Sequence, residues 1–144
     1  MQYKELYLRY KAEDPRKRRK LIKKMATEHN LSVREVVDGI MPFIIAEKPQ
    51  NRFGKSIYII GNLEDQEAYE EAEKRFMELG KRCSSLYKVK EYKPEDAYVL
   101  AMSNLRMCDT VYLLNGWADE PLAAKVRVQA MQDKKIMAYQ EYEV

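Results

Sequence analysis

The sequence Met107-Cys-Asp-Thr-Val-Tyr-Leu-Leu-Asn-Gly-Trp117 decides the fold of this chain. Its mostly apolar centre, Thr110–Leu114, is typical of a strand that is buried on both faces. A polar loop follows this strand, and a helix is predicted to begin near Asp119. Open α/β sheets bind ligands in the loops at the carboxyl ends of their parallel strands. The loop that carries Trp117, the only tryptophan, is therefore a candidate binding site.

Strands and helices alternate on both sides of this stretch. Ser56–Ile60 predicts a second buried strand, followed by a turn and a helix that ends near Leu79. Ser84–Val89 predicts a weaker strand, Pro94 begins another helix, and Lys135–Tyr139 predicts the last strand. Strands separated by single helices predict an α/β fold, a small doubly wound parallel sheet of the flavodoxin-like or Rossmann-like kind.

The first 50 residues predict a short N-terminal helical segment. Asp14-Pro15 is a favourable helix start, and Ser32 with Glu35 has the spacing of a capping box. Pro42 is expected to end the third helix, because proline cannot donate the backbone hydrogen bond that a helix interior needs. Residues 23–40 resemble a helix-turn-helix.

The domain boundary is predicted in a polar, turn-forming stretch at residues 47–54, which we interpret as a linker. The domains are thus expected at residues 1–50, the helical segment, and 51–144, the α/β domain. A chain of 144 residues can bury one good core and carry a small appendage of this kind.

Positive charge is concentrated near the amino terminus. Residues 16–24 carry seven positive charges, although the net charge of the chain is only +3. One hypothesis is a DNA-binding segment in which Arg16, Arg18 and Arg19 contact phosphates and Arg34 contacts bases. The alternatives are a solvated helix face and a helical cap that packs on the main domain or on a second subunit.

The composition argues against several kinds of site. With one histidine, His29, the commoner zinc sites are excluded, and Cys83 and Cys108 are expected to be reduced thiols. We therefore expect no metal and no cofactor. No apolar run approaches the roughly 18 residues that span a membrane, and the start lacks an apolar signal region, which predicts a cytoplasmic protein without a membrane partner.

Several segments carry a resemblance to a known family. They are Ile57-Tyr-Ile-Ile-Gly61, Leu105–Trp117, and the later positions Ala123, Ala130 and Lys135. Together, over residues 56–140, they resemble the nucleoside 2-deoxyribosyltransferase-like family, and in particular its small bacterial and phage members. The resemblance is most specific at Cys108-Asp109 and Gly116-Trp117. It implies a nucleoside or nucleotide pocket above the strand ends, and it implies homo-oligomers, which family members commonly form.

The resemblance also locates the positions of the family's chemistry. In catalytic relatives, a glutamate early in the helix after the Gly-Trp loop attacks the anomeric carbon, and an upstream aspartate assists. In register, these positions are Val126 and Ala101, neither of which can act as a nucleophile, an acid or a base. The nearby carboxylates, Asp119 and Glu120, are weak catalytic candidates, and capping of the following helix is the alternative role for both.

Ligand binding requires shape, stacking and hydrogen bonds rather than a reactive carboxylate. Trp117 could stack on a base, Asn62 and Asn115 could form hydrogen bonds, and Gly61 and Gly116 allow close backbone approach. In the alternative, Trp117 packs on a neighbouring subunit. We therefore expect a nucleoside- or nucleotide-binding protein with a degenerate catalytic site, a sensor or sequestering factor of phage or mobile-element origin. An active N-glycosidase or deoxyribosyltransferase and a DNA-binding regulator are the alternatives.

Overall fold

The computed structural model describes residues 2–47 and 53–143, which form six α-helices and four strands. The chain divides into two compact units. The helical unit comprises Met1–Lys48 and Tyr142–Val144, and the sheet unit comprises Pro49–Glu141. The linker expected at residues 47–54 lies outside the described residues at positions 48–52. No helix of the described part is long and apolar enough to span a bilayer.

The helical unit begins its helices as the sequence predicts. Its helices are α1 (Tyr3–Ala12), α2 (Arg18–Glu28) and α3 (Val33–Ala46). The Asp14 carboxylate accepts a hydrogen bond of 3.0 Å from the Arg16 N–H and caps a short 3₁₀ turn that leads into α2. The capping box of α3 is also present, since Ser32 Oγ accepts from the Glu35 N–H at 3.0 Å and Glu35 Oε1 accepts from the Ser32 N–H at 3.1 Å.

The expectation that Pro42 ends α3 is wrong, because the helix continues to Ala46. Pro42 forfeits one backbone hydrogen bond, but the next residue, Phe43, is buried in the core of this unit. The Phe43 ring stacks on Tyr7 at 5.5 Å between centroids and meets Tyr142 edge-on at 5.3 Å. This aromatic packing stabilises the last turn of α3 more than the lost hydrogen bond weakens it.

The sheet unit is a four-stranded parallel sheet in the order β2-β1-β3-β4. Its elements are β1 (Ser56–Ile60), α4 (Gln66–Glu78), β2 (Arg82–Ser85), α5 (Pro94–Arg106), β3 (Thr110–Leu113), α6 (Pro121–Gln132) and β4 (Ile136–Tyr139). The chain moves from β1 to one side of the sheet and then returns past β1 to the other side. This change of direction confirms the predicted doubly wound fold, and it places the topological switch point between β1 and β3.

The two faces of the sheet carry different packing. On one face the Tyr112 ring of β3 meets Phe76 of α4 edge-on, at 4.9 Å between centroids. The strand neighbours of Tyr112 point to the opposite face, because side chains alternate along a strand. There the small residues Ala97 and Ala101 of α5 and Ala123 of α6 are buried, which allows both helices to lie close to the sheet.

The second strand differs from its prediction. The sequence predicts a strand over Ser84–Val89, whereas β2 spans Arg82–Ser85 and a 3₁₀ turn follows at Leu86–Val89. Leu86 and Val89 are both buried. Residues three apart share a face in a 3₁₀ turn but not in a strand, so the turn buries both side chains at once.

Candidate ligand site at the strand ends

The loops after β1 and β3 lie side by side at the switch point. The Leu114 N–H donates to the Ile60 carbonyl at 2.8 Å, so the pairing of β1 with β3 continues to the start of both loops. A Cβ atom on Gly61 would lie 2.8 Å from Leu114 Cβ, which is closer than real Cβ contacts. Glycine at position 61 therefore allows the two strand ends to approach each other.

The structure brings Asn62 and Gly116 together. Gly116 has a positive φ of 86°, a conformation that favours glycine, and a Cβ built on it would lie 4.0 Å from Asn62 Cβ. Asn62 Oδ1 accepts a hydrogen bond of 2.9 Å from the Glu64 N–H. This turn fixes the orientation of the Asn62 side chain, whose amide NH₂ group is the part that can donate to a ligand.

Trp117 is held by two residues that the sequence analysis did not identify. The Arg127 guanidinium carbon lies 4.8 Å from the Trp117 ring centroid, and the Arg127 Nε–H donates to Tyr139 Oη at 2.9 Å. The Tyr139 ring itself lies 6.1 Å from the Trp117 ring. Trp117 is thus half-buried, and its indole is oriented by contacts within its own chain.

The loop after β3 is also tied to the end of β4. The Asn115 N–H donates to Gln140 Oε1 at 2.9 Å. Asn115 and Gly116 are exposed, whereas Asn62 and Trp117 are half-buried. The five residues predicted from the sequence therefore lie along one edge of the sheet, in loops that are open to solvent.

A further polar cluster, which the sequence analysis missed, flanks the β1 loop. Tyr69 Oη donates to the Gly61 carbonyl at 2.7 Å, and its ring lies 5.4 Å from that of Tyr87, in the turn after β2. Lys90 Nζ contacts Glu64 Oε2 at 3.4 Å and lies 5.5 Å from the Tyr87 ring centroid. Tyr87 and Lys90, which follow β2, extend the candidate site towards β2, and the buried Tyr69 of α4 supports the Gly61 loop from below.

Burial dominates the electrostatics of Tyr69. Burial raises the pKa of its hydroxyl well above the usual value, the hydrogen bond to the Gly61 carbonyl opposes this, and the nearby charges of Tyr58, Glu120 and Asp65 add to the increase. The hydroxyl is therefore a neutral hydrogen-bond donor at physiological pH.

The two candidate carboxylates occupy the turn that leads into α6. Asp119 is exposed and Glu120 is half-buried. Glu120 precedes Pro121, the first residue of α6, but its side chain forms no capping hydrogen bond. The capping role considered for Glu120 is therefore not observed, and its carboxylate can interact with a ligand at this edge.

The two positions at which the resemblance places catalytic residues lie in the core. Val126 of α6 and Ala101 of α5 are fully buried. A carboxylate at either position would have to enter the hydrophobic core of the sheet unit.

The Cys108-Asp109 pair lies at the opposite edge of the sheet, where the strands begin. The Asp109 carboxylate accepts hydrogen bonds from the Lys55 N–H at 3.0 Å, the Ser56 N–H at 3.4 Å and the Thr110 hydroxyl at 2.9 Å. The Thr110 hydroxyl in turn accepts from the Gly54 N–H at 2.8 Å. Asp109 therefore fixes the start of β1 against β3, and this pair is structural.

The charge state of Asp109 fits this role. Partial burial alone would raise the pKa of its carboxyl, but the hydrogen bonds from Thr110, Lys55 and Ser56 outweigh that effect and hold the pKa below its usual value. Burial raises the pKa of the neighbouring Cys108 thiol, and the charge of Asp109 raises it further, while the charges of Lys135 and Arg82 oppose this increase. Cys108 is therefore a protonated, unreactive thiol at neutral pH.

The four arginines predicted to contact DNA have different environments. Arg18 donates to the carbonyl oxygens of Tyr10 and Lys11 at 3.0 and 3.1 Å, so it ties α1 to α2. Arg16 and Arg19 are exposed, and Arg34 forms a solvent-exposed ion pair of 3.7 Å with Asp38 on α3. DNA binding through these residues stays a prediction from the sequence.

The fold and the convergent loops define a class, the doubly wound parallel α/β proteins with a candidate ligand site at the switch point between β1 and β3. Within this class, the chain belongs to the family described as Domain of unknown function (DUF4406), whose model matches residues 55–137, more than half of the chain. No curated protein and no solved structure matches the chain. Within residues 2–47 and 53–143, no three His, Cys, Asp or Glu side chains are grouped so that they could hold a metal ion.

Proposed function

We propose that the protein binds a nucleoside at the strand ends, on a deoxyribosyltransferase-like scaffold that lacks the usual catalytic residues. The observation that supports this most is the approach of the loops after β1 and β3, with Asn62 beside Gly116 and Trp117 held in a defined orientation. A partly exposed indole provides a stacking surface for a base, and the asparagine amides provide donors and acceptors for a base or a sugar. The burial of Val126 supports binding without the family's reaction.

The charges favour a nucleoside over a nucleotide. A helix start ordinarily attracts phosphate through its free N–H groups. Here the Asp65 carboxylate already accepts the Ala68 N–H at the start of α4, at 3.2 Å. At the start of α6 the acidic Asp119 and Glu120 would repel a phosphate. The cations at this edge are also engaged, Lys90 by Glu64 and Arg127 by Tyr139 and Trp117.

A protein of this kind would act as a ligand sensor or a sequestering factor of phage or mobile-element origin, in keeping with the small bacterial and phage members that the sequence resembles. Both roles require reversible binding without turnover of the ligand. Both predict a protein whose ligand is recovered unchanged after release.

Calorimetric titration of the full chain with a panel of nucleosides and their 5′-monophosphates tests the proposal. We expect at least one nucleoside to bind below the millimolar range and more tightly than its own monophosphate. Trp117→Ala should weaken binding by about tenfold or more, since loss of base–aromatic stacking amounts to about 1–3 kcal/mol per base. Arg127→Ala should have a smaller effect, because Arg127 lies over one face of the indole and a base is predicted to stack on the other face.

The matched control is Met77→Ala, which removes a large exposed side chain from the last turn of α4, at the end of the sheet where β2 begins. It should leave the nucleoside affinity unchanged. The proposal would be abandoned if no nucleoside bound below the millimolar range, or if Trp117→Ala and Met77→Ala had the same effect.

A second candidate function rests on Glu120. Its carboxylate is half-buried, forms no capping hydrogen bond and directly follows the turn that carries Trp117. A carboxylate in this place could stabilise an oxocarbenium-like centre and form a glycosyl ester, as in retaining glycosidases. The chain would then be an N-glycosidase or deoxyribosyltransferase that uses a relocated nucleophile.

Free base released from deoxynucleosides, measured by chromatography, separates the two functions. Under the binding proposal we expect no release above the rate without protein, and Glu120→Gln should change only the affinity. Release that is present in the unmodified chain and lost in Glu120→Gln would establish the enzymatic function instead. Asp119→Asn is the control for an exposed neighbouring carboxylate.

A further inference from the structure

A groove of about 560 Å³ runs between α5 and α6, on the side of these helices that faces away from the sheet. It is lined by Tyr98, Val99, Met102 and Arg106 of α5 and by Gln129 and Asp133 of α6. Val99 is 65% exposed and Tyr98 is 43% exposed. Large apolar side chains grouped on one exposed helix face are typical of a surface that binds another protein.

The exposed face of α5 has a symmetric sequence pattern. Its midpoint falls between Leu100 and Ala101. Val99 and Met102 lie at equal distances on either side of this midpoint, and so do Tyr98 and Ser103. Glu95 and Arg106 form the outermost pair, about 16 Å apart along the axis at a rise of 1.5 Å per residue.

This pattern has a simple consequence for two copies of α5. Suppose that two such helices pack antiparallel about a two-fold axis through the midpoint. Each residue of a pair in one copy then faces the other residue of that pair in the second copy. Val99 then faces Met102 of the second copy, and Glu95 faces Arg106 of the second copy. The apolar residues meet at the centre and opposite charges meet at both ends, which is the self-complementarity that a two-fold interface requires.

We propose that the protein forms a two-fold homodimer in which α5 of each copy lies antiparallel along α5 of the other, beside the groove. Charge supports a second copy as the occupant. Glu95 and Arg106 form no ion pair in the described part of the chain, and both are exposed. Asp133, directly after α6, accepts a hydrogen bond of 2.9 Å from Gln129 and forms no ion pair with Arg106 in the described part of the chain.

Sedimentation equilibrium of the full chain tests the proposal, and two exposed valines provide a matched pair. Val99→Glu places a charge at the centre of the interface and should weaken dimerisation by about tenfold or more, which corresponds to at least 1.4 kcal/mol. Val128→Glu makes the same change at a 51% exposed position of α6 outside the groove. It should leave the dimer intact, and circular dichroism checks that both variants fold.

Charge reversal tests the antiparallel arrangement itself. Glu95→Arg alone brings two arginines together at each end, and Arg106→Glu alone brings two glutamates together, so each should weaken the dimer. The double variant Glu95→Arg/Arg106→Glu restores opposite charges and should restore dimerisation. Only a pairing of position 95 with position 106 of the second copy predicts this rescue.

Three outcomes would overturn the proposal. The first is an unmodified chain that stays monomeric up to about 200 µM, where an interface of modest size is still detectable; the groove would then hold a different occupant. The second is a dimer that Val99→Glu and Val128→Glu affect equally. The third is a double charge reversal that fails to restore a dimer that both single reversals weaken.

Discussion

Replacement of Val126 by glutamate should strongly lower the free energy of unfolding of the sheet unit and should not create catalytic activity. Position 126 is where the resemblance places a catalytic glutamate. Val126 lies on the face of α6 that packs into the core and is fully buried there. A carboxylate without a partner in such a place destabilises a protein by about 3–5 kcal/mol. We expect Val126→Glu to lose this much free energy of unfolding in a urea titration, and to release no free base from deoxynucleosides.

The pH dependence gives this prediction a second readout. Burial would raise the pKa of the introduced carboxyl above its unfolded value, which is about 4.3 for glutamate. A carboxyl of this kind destabilises the folded state most when it must ionise, above its unfolded pKa, and least when it is protonated. The difference in free energy of unfolding between Val126→Glu and the unmodified chain should therefore become smaller as the pH falls from the raised folded pKa towards about 4.3, and it should level off below that pH.

Val128→Glu is the control on the same helix. Val128 is 51% exposed, so a carboxylate there stays solvated and the free energy of unfolding should change by less than about 0.5 kcal/mol. If Val126→Glu were as stable as Val128→Glu and cleaved deoxynucleosides, position 126 would be accessible from the ligand edge. The prediction that position 126 is closed to a ligand would then be wrong, although the unmodified chain, with valine there, would still lack a nucleophile at this position.

The strands that were predicted well are those with an unambiguous pattern. β1 and β3 are continuous apolar runs between polar turns, and a strand buried on both faces is the structure that such a run favours. The pattern at residues 82–89 is ambiguous, because Leu86 and Val89 are spaced for one turn of helix while the residues before them suit a strand. Local sequence could not decide where β2 ends, since the packing of both side chains on the core decides it.

The candidate site shows the same division between local and non-local information. Gly61, Asn62 and Gly116 were predicted because each follows a buried strand directly. Tyr87, Lys90 and Arg127 were missed, because they reach this edge only through the strand order β2-β1-β3-β4 and the 3₁₀ turn after β2. No spacing along the chain indicates which of four strand ends will be neighbours.

Position along a strand separates the two motifs that carry the family resemblance most specifically. Gly116-Trp117 follows the carboxyl end of β3, at the candidate site, whereas Cys108-Asp109 precedes its amino end. The strand spans four residues, or about 13 Å at 3.3 Å per residue, so a ligand at one motif does not reach the other. Two motifs at the two ends of one strand can thus have different roles, one in ligand binding and the other in stability.

Removal of the Asp109 carboxylate should weaken the sheet at the edge opposite the candidate site. Its oxygens accept from two backbone N–H groups at the start of β1 and from the Thr110 hydroxyl, and Gly54 lies so close that a Cβ there would overlap the carboxylate. Asp109→Ala leaves these donors without their acceptor. We expect a loss of about 1 kcal/mol in the free energy of unfolding, at the lower end of the range for unsatisfied donors, because Asp109 is exposed and water can replace part of the lost hydrogen bonding.

The pH profile distinguishes the carboxylate from the shape of the side chain. The pKa of Asp109 is held below its usual value in the folded state. The ionised form therefore stabilises the fold above the unfolded pKa of about 3.9. This contribution is lost as the pH falls through the lower, folded pKa. Asp109→Asn keeps the shape and lacks the charge, so its deficit relative to the unmodified chain should be constant near neutral pH and should shrink under acid conditions. Glu91→Gln, which neutralises an exposed carboxylate of the same unit, should show no such deficit. If the loss of free energy of unfolding in Asp109→Asn did not change with pH, the shape of the side chain would hold β1 against β3. If the loss disappears on acidification, the charge of Asp109 provides the stabilisation. Nucleoside binding at the far end of the sheet does not require this charge.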